Sequence, residues 1–138
     1  MHSISEDFGK HYELVHSGFV HDAQKEFAEG CISLALVYGE EMPVPDEIGV
    51  SHAAYLNGLG EAVGELRRYL LDSLRRGDLS HGEDLLNTMD DIYGVLMLMD
   101  FPEALTHGLR HTPNAVRGTI ERTRGDLTMA LMQSILSE

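Results

Sequence analysis

Apolar residues recur at steps of three and four positions along nearly the whole of this 138-residue chain. Such spacing places side chains on one face of an α-helix, and no stretch shows the alternate-residue pattern of a β-strand. The pattern predicts four longer helices at about 12–39, 51–76, 80–99 and 113–136, and one short helix at 102–107. Because each helix must bury its apolar face, we expect a single all-α domain over residues 1–138, built as a helical bundle.

Breaks and caps mark the ends of these helices. The segment 40–49 holds two prolines, four acidic residues and a glycine, and is predicted to be a loop. Ser51 is expected to cap the helix that follows. The first helix is expected to be strong only from about His16, because Gly18 interrupts its polar start. Its predicted buried face consists of Phe19, Ala23, Phe27, Cys31, Leu34 and Val37 or Tyr38.

The charge of the chain constrains its partners. The formal net charge is −13, from 23 acidic and 10 basic residues, and only Lys10 and Lys25 are lysines. This composition is what we expect of a protein from a salt-loving organism. An acidic surface also repels nucleic acid at low salt. Charge alone therefore argues against a general nucleic-acid-binding protein.

The cellular compartment is inferred from three features that the sequence lacks. The single cysteine, Cys31, cannot form an internal disulfide, which favours a reducing environment. No run approaches the ~18 consecutive apolar residues of a membrane span. The first ten residues, MHSISEDFGK, lack the apolar core of a signal peptide. We therefore expect a cytoplasmic protein without a membrane partner.

Glutamates on two predicted helices suggest a cation site. Glu61 and Glu65 lie four residues apart among three glycines, and Glu26 and Glu29 lie three residues apart on the first helix. Glycine within a helix is unfavourable by roughly 0.5–1 kcal/mol relative to alanine, so this cluster suggests that another helix comes very close. The four carboxylates would then converge, and oxygen ligands suit Mg²⁺ or Mn²⁺. The alternative is a tight helix crossing with solvated glutamates on its rim.

Other catalytic signatures are missing from the sequence. It contains no GxxxxGK[ST], GxSxG, CxxC or HExxH motif. Di-iron bundles use a Glu-x-x-His motif on two helices. Only one such match occurs, at Glu13 and His16, so a di-iron centre is disfavoured.

A resemblance to a known family is carried by four blocks, VHDAQKEFAEG, YLNGLGEAVGELRR, MDDIYGVLMLMDFPEALTHGLR and VRGTIERTRGDL. They resemble the translin family, in particular its archaeal members, which are close to the translin-associated X subunit. The resemblance implies an all-α fold, hollow oligomers and binding of single-stranded nucleic acid or RNA. The X-type subunits are magnesium-dependent endoribonucleases whose acidic residues hold the metal. The family's E-x-x-E falls on Glu26 and Glu29, and its acid-x-x-x-Glu falls on Glu61 and Glu65, with Glu61 where the animal X-type subunit has aspartate.

The chain departs from the family pattern at its beginning. Family members usually carry several dozen residues before the block that starts here near His16, and these form a first helix and part of a second, rich in RNA-contacting basic residues. We expect that this first family helix is missing here. Its absence should expose an apolar strip that another subunit could cover.

Two functions follow from the resemblance. In the first, the chain is an endoribonuclease that binds single-stranded RNA or DNA and uses Mg²⁺ or Mn²⁺. The metal ligands and catalytic residues would be Glu26, Glu29, Glu61 and Glu65, and the phosphate-binding arginines would be Arg67, Arg68, Arg117, Arg122 and Arg124. Some of these arginines could instead pair with Glu121 and Asp126. In the second, the chain is a non-catalytic helical oligomerisation module that has lost the basic RNA-binding arm. Both predict a homo-oligomer, a dimer or larger.

Overall fold

The computed structural model describes residues 4–98 and 113–137. Its helices, in chain order, are α1 (Ile4–Val37), α2 (Pro45–Ile48), α3 (His52–Arg75), α4 (Gly82–Leu98) and α5 (Pro113–Leu136). No strand occurs in these ranges, so the all-α class and the four longer helices are confirmed. The predicted short helix at 102–107 lies outside the described residues. None of the described helices is long and apolar enough to cross a membrane.

Helix α3 is the centre of the bundle and packs against α1, α4 and α5. The three- and four-residue spacing predicts an apolar face made of Tyr55, Leu59, Ala62 or Val63, Leu66, Tyr69 or Leu70, and Leu74. Tyr69 is 53% exposed and Leu74 is only partly buried, whereas the other members of this face are buried. The predicted cap is confirmed, since the Ala54 backbone N–H donates to the Ser51 hydroxyl oxygen at 3.1 Å. This bond satisfies one of the free amides at the start of the helix.

Helices α4 and α5 close the other side of the bundle. They pack against each other as well as against α3. At the start of α4, a Cβ added to Gly82 would lie 2.5 Å from a methyl group of Leu127 in α5, so the two helices touch there. The core continues through fully buried Leu86, Met89 and Ile92 of α4.

The predicted buried face of α1 is wrong. Phe19 is 71% exposed, Phe27 55% and Leu34 60%, whereas Ala28 and Ile32 are completely buried. The buried strip therefore lies about one residue around the helix from the predicted one. Small Ala28 lets α3 approach closely, while the ring of Phe27 in the same place would hold the two helices apart.

The first half of α1 stands apart from the described bundle. The helix already includes Ile4, whereas the sequence predicts a start near Tyr12 and a strong helix only from about His16, and every side chain from 10 to 20 is exposed. Tyr12 is 62% exposed and Leu14 74%. Large apolar side chains are therefore exposed along this part of α1.

The predicted loop 40–49 contains one helical turn, α2, which the sequence analysis missed. Pro45 is its first residue, where the fixed φ of proline suits a helix start. Gly49 ends the turn with φ 68°, in the left-handed region. The Tyr55 hydroxyl donates to the Pro43 carbonyl at 2.5 Å and holds the loop on α3.

Candidate active site

The crossing of α1 and α3 positions the predicted glutamates. A Cβ added to Gly58 would lie 2.9 Å from the Ala28 Cβ and 3.1 Å from the Glu29 backbone nitrogen. Gly58 therefore allows a close helix approach, as the sequence suggested. The same explanation is wrong for Gly64, because nothing lies within 4 Å of a Cβ added there.

Contacts between α1 and α3 progress in the same direction along both helices. His21 lies beside Asn57, with Nε2 and Nδ2 3.1 Å apart. One turn further along each helix, the Lys25 amino group lies 3.9 Å from a carboxylate oxygen of Glu61. One further turn along each helix are Glu29 and Glu65. The two predicted carboxylate pairs therefore face a shared region between the helices.

The other three predicted glutamates repel the carboxylate of Glu29. Its pKa is raised above the ordinary value of 4.5, mainly because the carboxyl group is partly buried. Repulsion from Glu61 and then Glu65 raises the pKa further, as does a smaller effect of Glu26. Lys25 acts in the opposite direction. Glu29 thus lies in the electric field of the other three predicted glutamates.

The four glutamates differ in exposure. Glu26 and Glu65 are exposed, Glu29 is half-buried, and the side chain of Glu61 is 32% exposed. Within residues 4–98 and 113–137, no three acidic, histidine or cysteine side chains stand close enough together to hold a metal ion. Four carboxylates fit a hard divalent cation, because such an ion binds oxygen ligands and its positive charge would offset the repulsion between them. Its side chains would have to rotate toward one another to form a ligand shell.

The predicted phosphate-binding arginines do not gather at the glutamates. Arg67 donates to the Thr123 hydroxyl at 2.8 Å and to the Asp126 carboxylate at 2.9 Å. Arg124 pairs with Asp90 at 3.1 Å, and its Nε lies 3.7 Å from Glu121. These two arginines therefore bind the helices together, the alternative that the sequence left open.

The remaining three arginines have fewer bonds. Arg122 donates to the Thr119 hydroxyl at 3.1 Å. Arg68 and Arg117 are exposed, and no described residue pairs with either. An open depression of about 650 Å³ is lined by Arg67, Arg122 and Arg124, and none of the four glutamates lines it.

Sequence reasoning missed two features of this region. Lys25 lies four residues before Glu29, so the helical spacing that found the glutamates could also have placed a cation beside them. Asn57 is only 8% exposed, and its Oδ1 is buried without a hydrogen-bond partner among the described residues. No local signal marks Asn57, because its burial arises from the approach of α1.

A second cavity adjoins the glutamates. It has a volume of about 530 Å³ and lies between the later part of α1, the middle of α3 and the beginning of α4. Glu65 and Tyr69 of α3 line it, as does Asp84 of α4. Local sequence patterns do not predict this cavity, because its walls come from three separate segments.

Comparison with known proteins identifies solved relatives. The chain is 36% identical to the protein in the crystal structure of AfC3PO, with a TM-score of 0.74, and the match covers 91% of this chain and 66% of that one. A structure of AfC3PO in complex with duplex RNA matches with a TM-score of 0.73 at the same identity and coverage. An uncharacterised protein of Methanocaldococcus jannaschii is 28% identical over 122 residues, which are 88% of this chain and 54% of that protein.

The chain is shorter than these relatives. It spans about half of the length of the M. jannaschii protein and just under two thirds of AfC3PO. No protein-family model matches the chain.

Proposed function

We propose a function from one premise: the chain belongs to the translin family. On that premise, the protein binds single-stranded RNA, or single-stranded DNA, and cleaves RNA as an endoribonuclease that depends on Mg²⁺ or Mn²⁺. The metal ligands in this proposal are Glu26, Glu29, Glu61 and Glu65. The complex of the related AfC3PO with duplex RNA supports an RNA partner.

One observation supports the site more than any other. Gly58 brings α3 against the backbone of Glu29, and Glu29 is repelled by Glu61 and Glu65, which belong to that other helix. Like charges gathered at a helix crossing destabilise the fold unless positive charge enters between them. A divalent cation supplies that charge in a form that carboxylate oxygens bind well.

The chemistry can be assigned to groups in this region. When bound, a divalent ion lowers the pKa of a water molecule and stabilises negative charge on the departing oxygen. The four glutamates would bind and orient the ion, and one of them could accept the proton of the attacking water. Lys25 supplies a positive charge beside Glu61, which reduces the repulsion between this acidic region and a phosphodiester.

Two arginines are the best phosphate contacts of the five predicted. Arg68 and Arg117 are exposed and have no described partner, so binding a phosphate breaks no bond of the fold. Arg67 and Arg124 would first have to leave Asp126 and Asp90. Bidentate guanidinium contacts suit phosphate groups well.

The direct test is cleavage of a labelled single-stranded RNA with Mn²⁺, with and without chelator. We expect the parent protein to cut, and Glu26→Ala and Glu65→Ala to abolish cutting while circular dichroism shows unchanged helical content, because both side chains are exposed. Glu41→Ala, at an exposed glutamate in the loop, is the matched control and should cut normally. Equal cutting by all four proteins would indicate a contaminating nuclease and refute the assignment.

A second function is favoured by the exposed apolar surface of α1. Phe19 and Leu34 are 71% and 60% exposed, as an assembly surface would be in an isolated subunit. On this alternative, the chain is a non-catalytic oligomerisation module. A folded, metal-loaded parent that cuts no RNA would favour it.

Both proposals include a homo-oligomer, a dimer or larger. Light scattering at low and high salt measures the assembly directly. We expect association to be stronger at high salt, because salt screens the −13 net charge of each chain. A monomer under both conditions would refute assembly.

A further inference from the structure

The cavity beside Glu65 has the size and lining of a ligand site. Its volume of about 530 Å³ falls within the roughly 300–1,000 Å³ of small-molecule pockets. Leu36 of α1, Leu66 of α3 and Leu85 of α4 all line it and also belong to or pack against the core. The floor is therefore apolar and fixed by the bundle.

One wall is aromatic. Tyr69 lines the cavity, and 53% of its side chain remains exposed although it lies next to fully buried Leu70. An exposed ring beside an apolar floor favours a flat ligand, which can stack on it. Stacking of this kind is the usual way in which proteins hold an unpaired nucleobase.

The polar rim contains two carboxylates, those of Glu65 and Asp84, together with Ser33, His81 and Thr88. Asp84 is exposed, and no described side chain pairs with it. The Thr88 hydroxyl already donates to the Asp84 carbonyl oxygen at 3.0 Å, so it offers the cavity only lone pairs. The rim therefore suits a ligand that presents N–H groups, as the edges of nucleobases do.

Glu65 links this cavity to the proposed catalytic region. It lines the cavity and also contributes to the field that raises the pKa of Glu29. A nucleotide with its base in the cavity would therefore place its phosphate on the side of the glutamates.

We propose that this cavity binds one unpaired base of the RNA strand that lies at the four glutamates, and that Asp84 makes it prefer guanine. Guanine presents two parallel donors, N1–H and the N2 amino group, to a single carboxylate. Cytosine and adenine offer one amino group each, and uracil offers one N–H between two carbonyl oxygens. The order of preference is therefore guanine first and uracil last. This proposal rests on the proposed function, because it assigns a base site to that substrate.

Binding of mononucleotides tests the cavity independently of cleavage. The four ribonucleoside 5′-monophosphates are titrated into the full chain in chelator, and binding is followed by NMR. We expect guanosine monophosphate to bind about tenfold more tightly than uridine monophosphate, in line with the discrimination from one bidentate contact. Asp84→Asn should remove this difference, because an amide presents both a donor and an acceptor.

Three further variants separate the base site from general effects. Asp91→Asn changes an exposed aspartate of the same helix that does not line the cavity, and it should keep the guanine preference. Tyr69→Ala should weaken all four nucleotides about equally, whereas Tyr69→Phe should restore them by keeping the ring. Unchanged thermal melting confirms that these exposed positions do not alter the fold.

The outcomes distinguish the two proposals. A guanine preference that survives Asp84→Asn overturns the base site, and so does binding that ignores Tyr69, even if RNA is cut as proposed. If the protein binds guanine selectively but never cuts RNA, the proposed endoribonuclease activity is refuted and the proposed base site is supported. Saturation of the cavity by an apolar segment of a second chain, seen as loss of nucleotide binding on oligomerisation, would also overturn it.

Discussion

Replacing Gly58 with alanine tests the close approach of α1 and α3. The new methyl group would lie 2.9 Å from the Ala28 Cβ, 3.1 Å from the Glu29 backbone nitrogen and 3.2 Å from the Lys25 carbonyl oxygen. Two of these three atoms are backbone, so they cannot turn away as a flexible side chain could. The helices must separate to accommodate the methyl group.

Gly64→Ala is the matched control on the same helix. Nothing lies within 4 Å of a Cβ added there. Its only effect is the better helix propensity of alanine, a gain of about 0.5–1 kcal/mol. Gly58→Ala has the same gain but adds the unfavourable overpacking of a filled core, about 1–3 kcal/mol. Because backbone atoms are involved, we expect the upper part of that range and a net loss of ~1–2 kcal/mol.

These free energies convert to melting temperatures. At about 2.1 cal/mol/K per residue, 138 residues give an unfolding entropy of about 0.3 kcal/mol/K, so 1 kcal/mol shifts Tm by about 3 °C. Gly58→Ala should therefore melt about 3–7 °C below the parent, and Gly64→Ala about 2–3 °C above it. The assay is thermal unfolding in chelator, followed by circular dichroism at 222 nm.

The result that refutes the reasoning is simple. If Gly58→Ala melts as high as Gly64→Ala, α1 and α3 do not touch at this glycine. A further readout concerns the site, since separating the helices moves Glu29 away from Glu61. Stabilisation by Mn²⁺ should then be reduced in Gly58→Ala and retained in Gly64→Ala.

Three other predictions concern charge. Mn²⁺ should raise the Tm of the parent by binding the folded state, and the double variant Glu61→Gln/Glu65→Gln should lose this effect; equal stabilisation of both would place the metal elsewhere. In chelator, Glu29→Gln should raise Tm at neutral pH. Folding raises the Glu29 pKa above 4.5, so the ionised carboxylate weakens the fold only as pH rises through and above that value. The gain in Tm should therefore disappear as pH falls toward 4.5. A gain in Tm that does not depend on pH would contradict this prediction. Arg67→Ala should lose about 1–2 kcal/mol in denaturant unfolding, since it removes two bonds to α5, whereas exposed Arg68→Ala should change stability by less than about 0.5 kcal/mol.

The sequence predicted the parts of the fold that depend on local spacing. The buried face of α3 and the Ser51 cap follow from residues within one or two turns, and both are confirmed. The prediction of the buried face of α1 was wrong, because two adjacent strips of that helix are apolar and only the shape of α3 selects the strip that contains Ala28. The spacing of residues within α1 contains no information about which of the two strips α3 contacts.

The candidate site also has one part that helical spacing could predict and one part that it could not. Helical spacing could pair Glu26 with Glu29 and Glu61 with Glu65, but only the crossing at Gly58 brings the two pairs into one electric field. Asp126 lies 59 residues from Arg67 and Asp90 lies 34 residues from Arg124, so local spacing could not predict these two ion pairs. The roles of the glutamates and arginines in RNA cleavage stay predictions.

The backbone amides of α1 should fall into two groups that differ in their rate of hydrogen exchange, because the first half of the helix is exposed and the second half is packed. From residue 10 to Val20 the side chains are exposed, and His21 in the next turn bonds across to Asn57 of α3. Because the side chains before His21 are exposed, few buried contacts protect these turns, and their amides exchange with solvent deuterium through local fraying. Amides near Ala28 and Ile32 exchange only when the whole bundle opens. The boundary between fast and slow exchange therefore falls near His21, and any chain that docks on the first half moves this boundary toward Ile4.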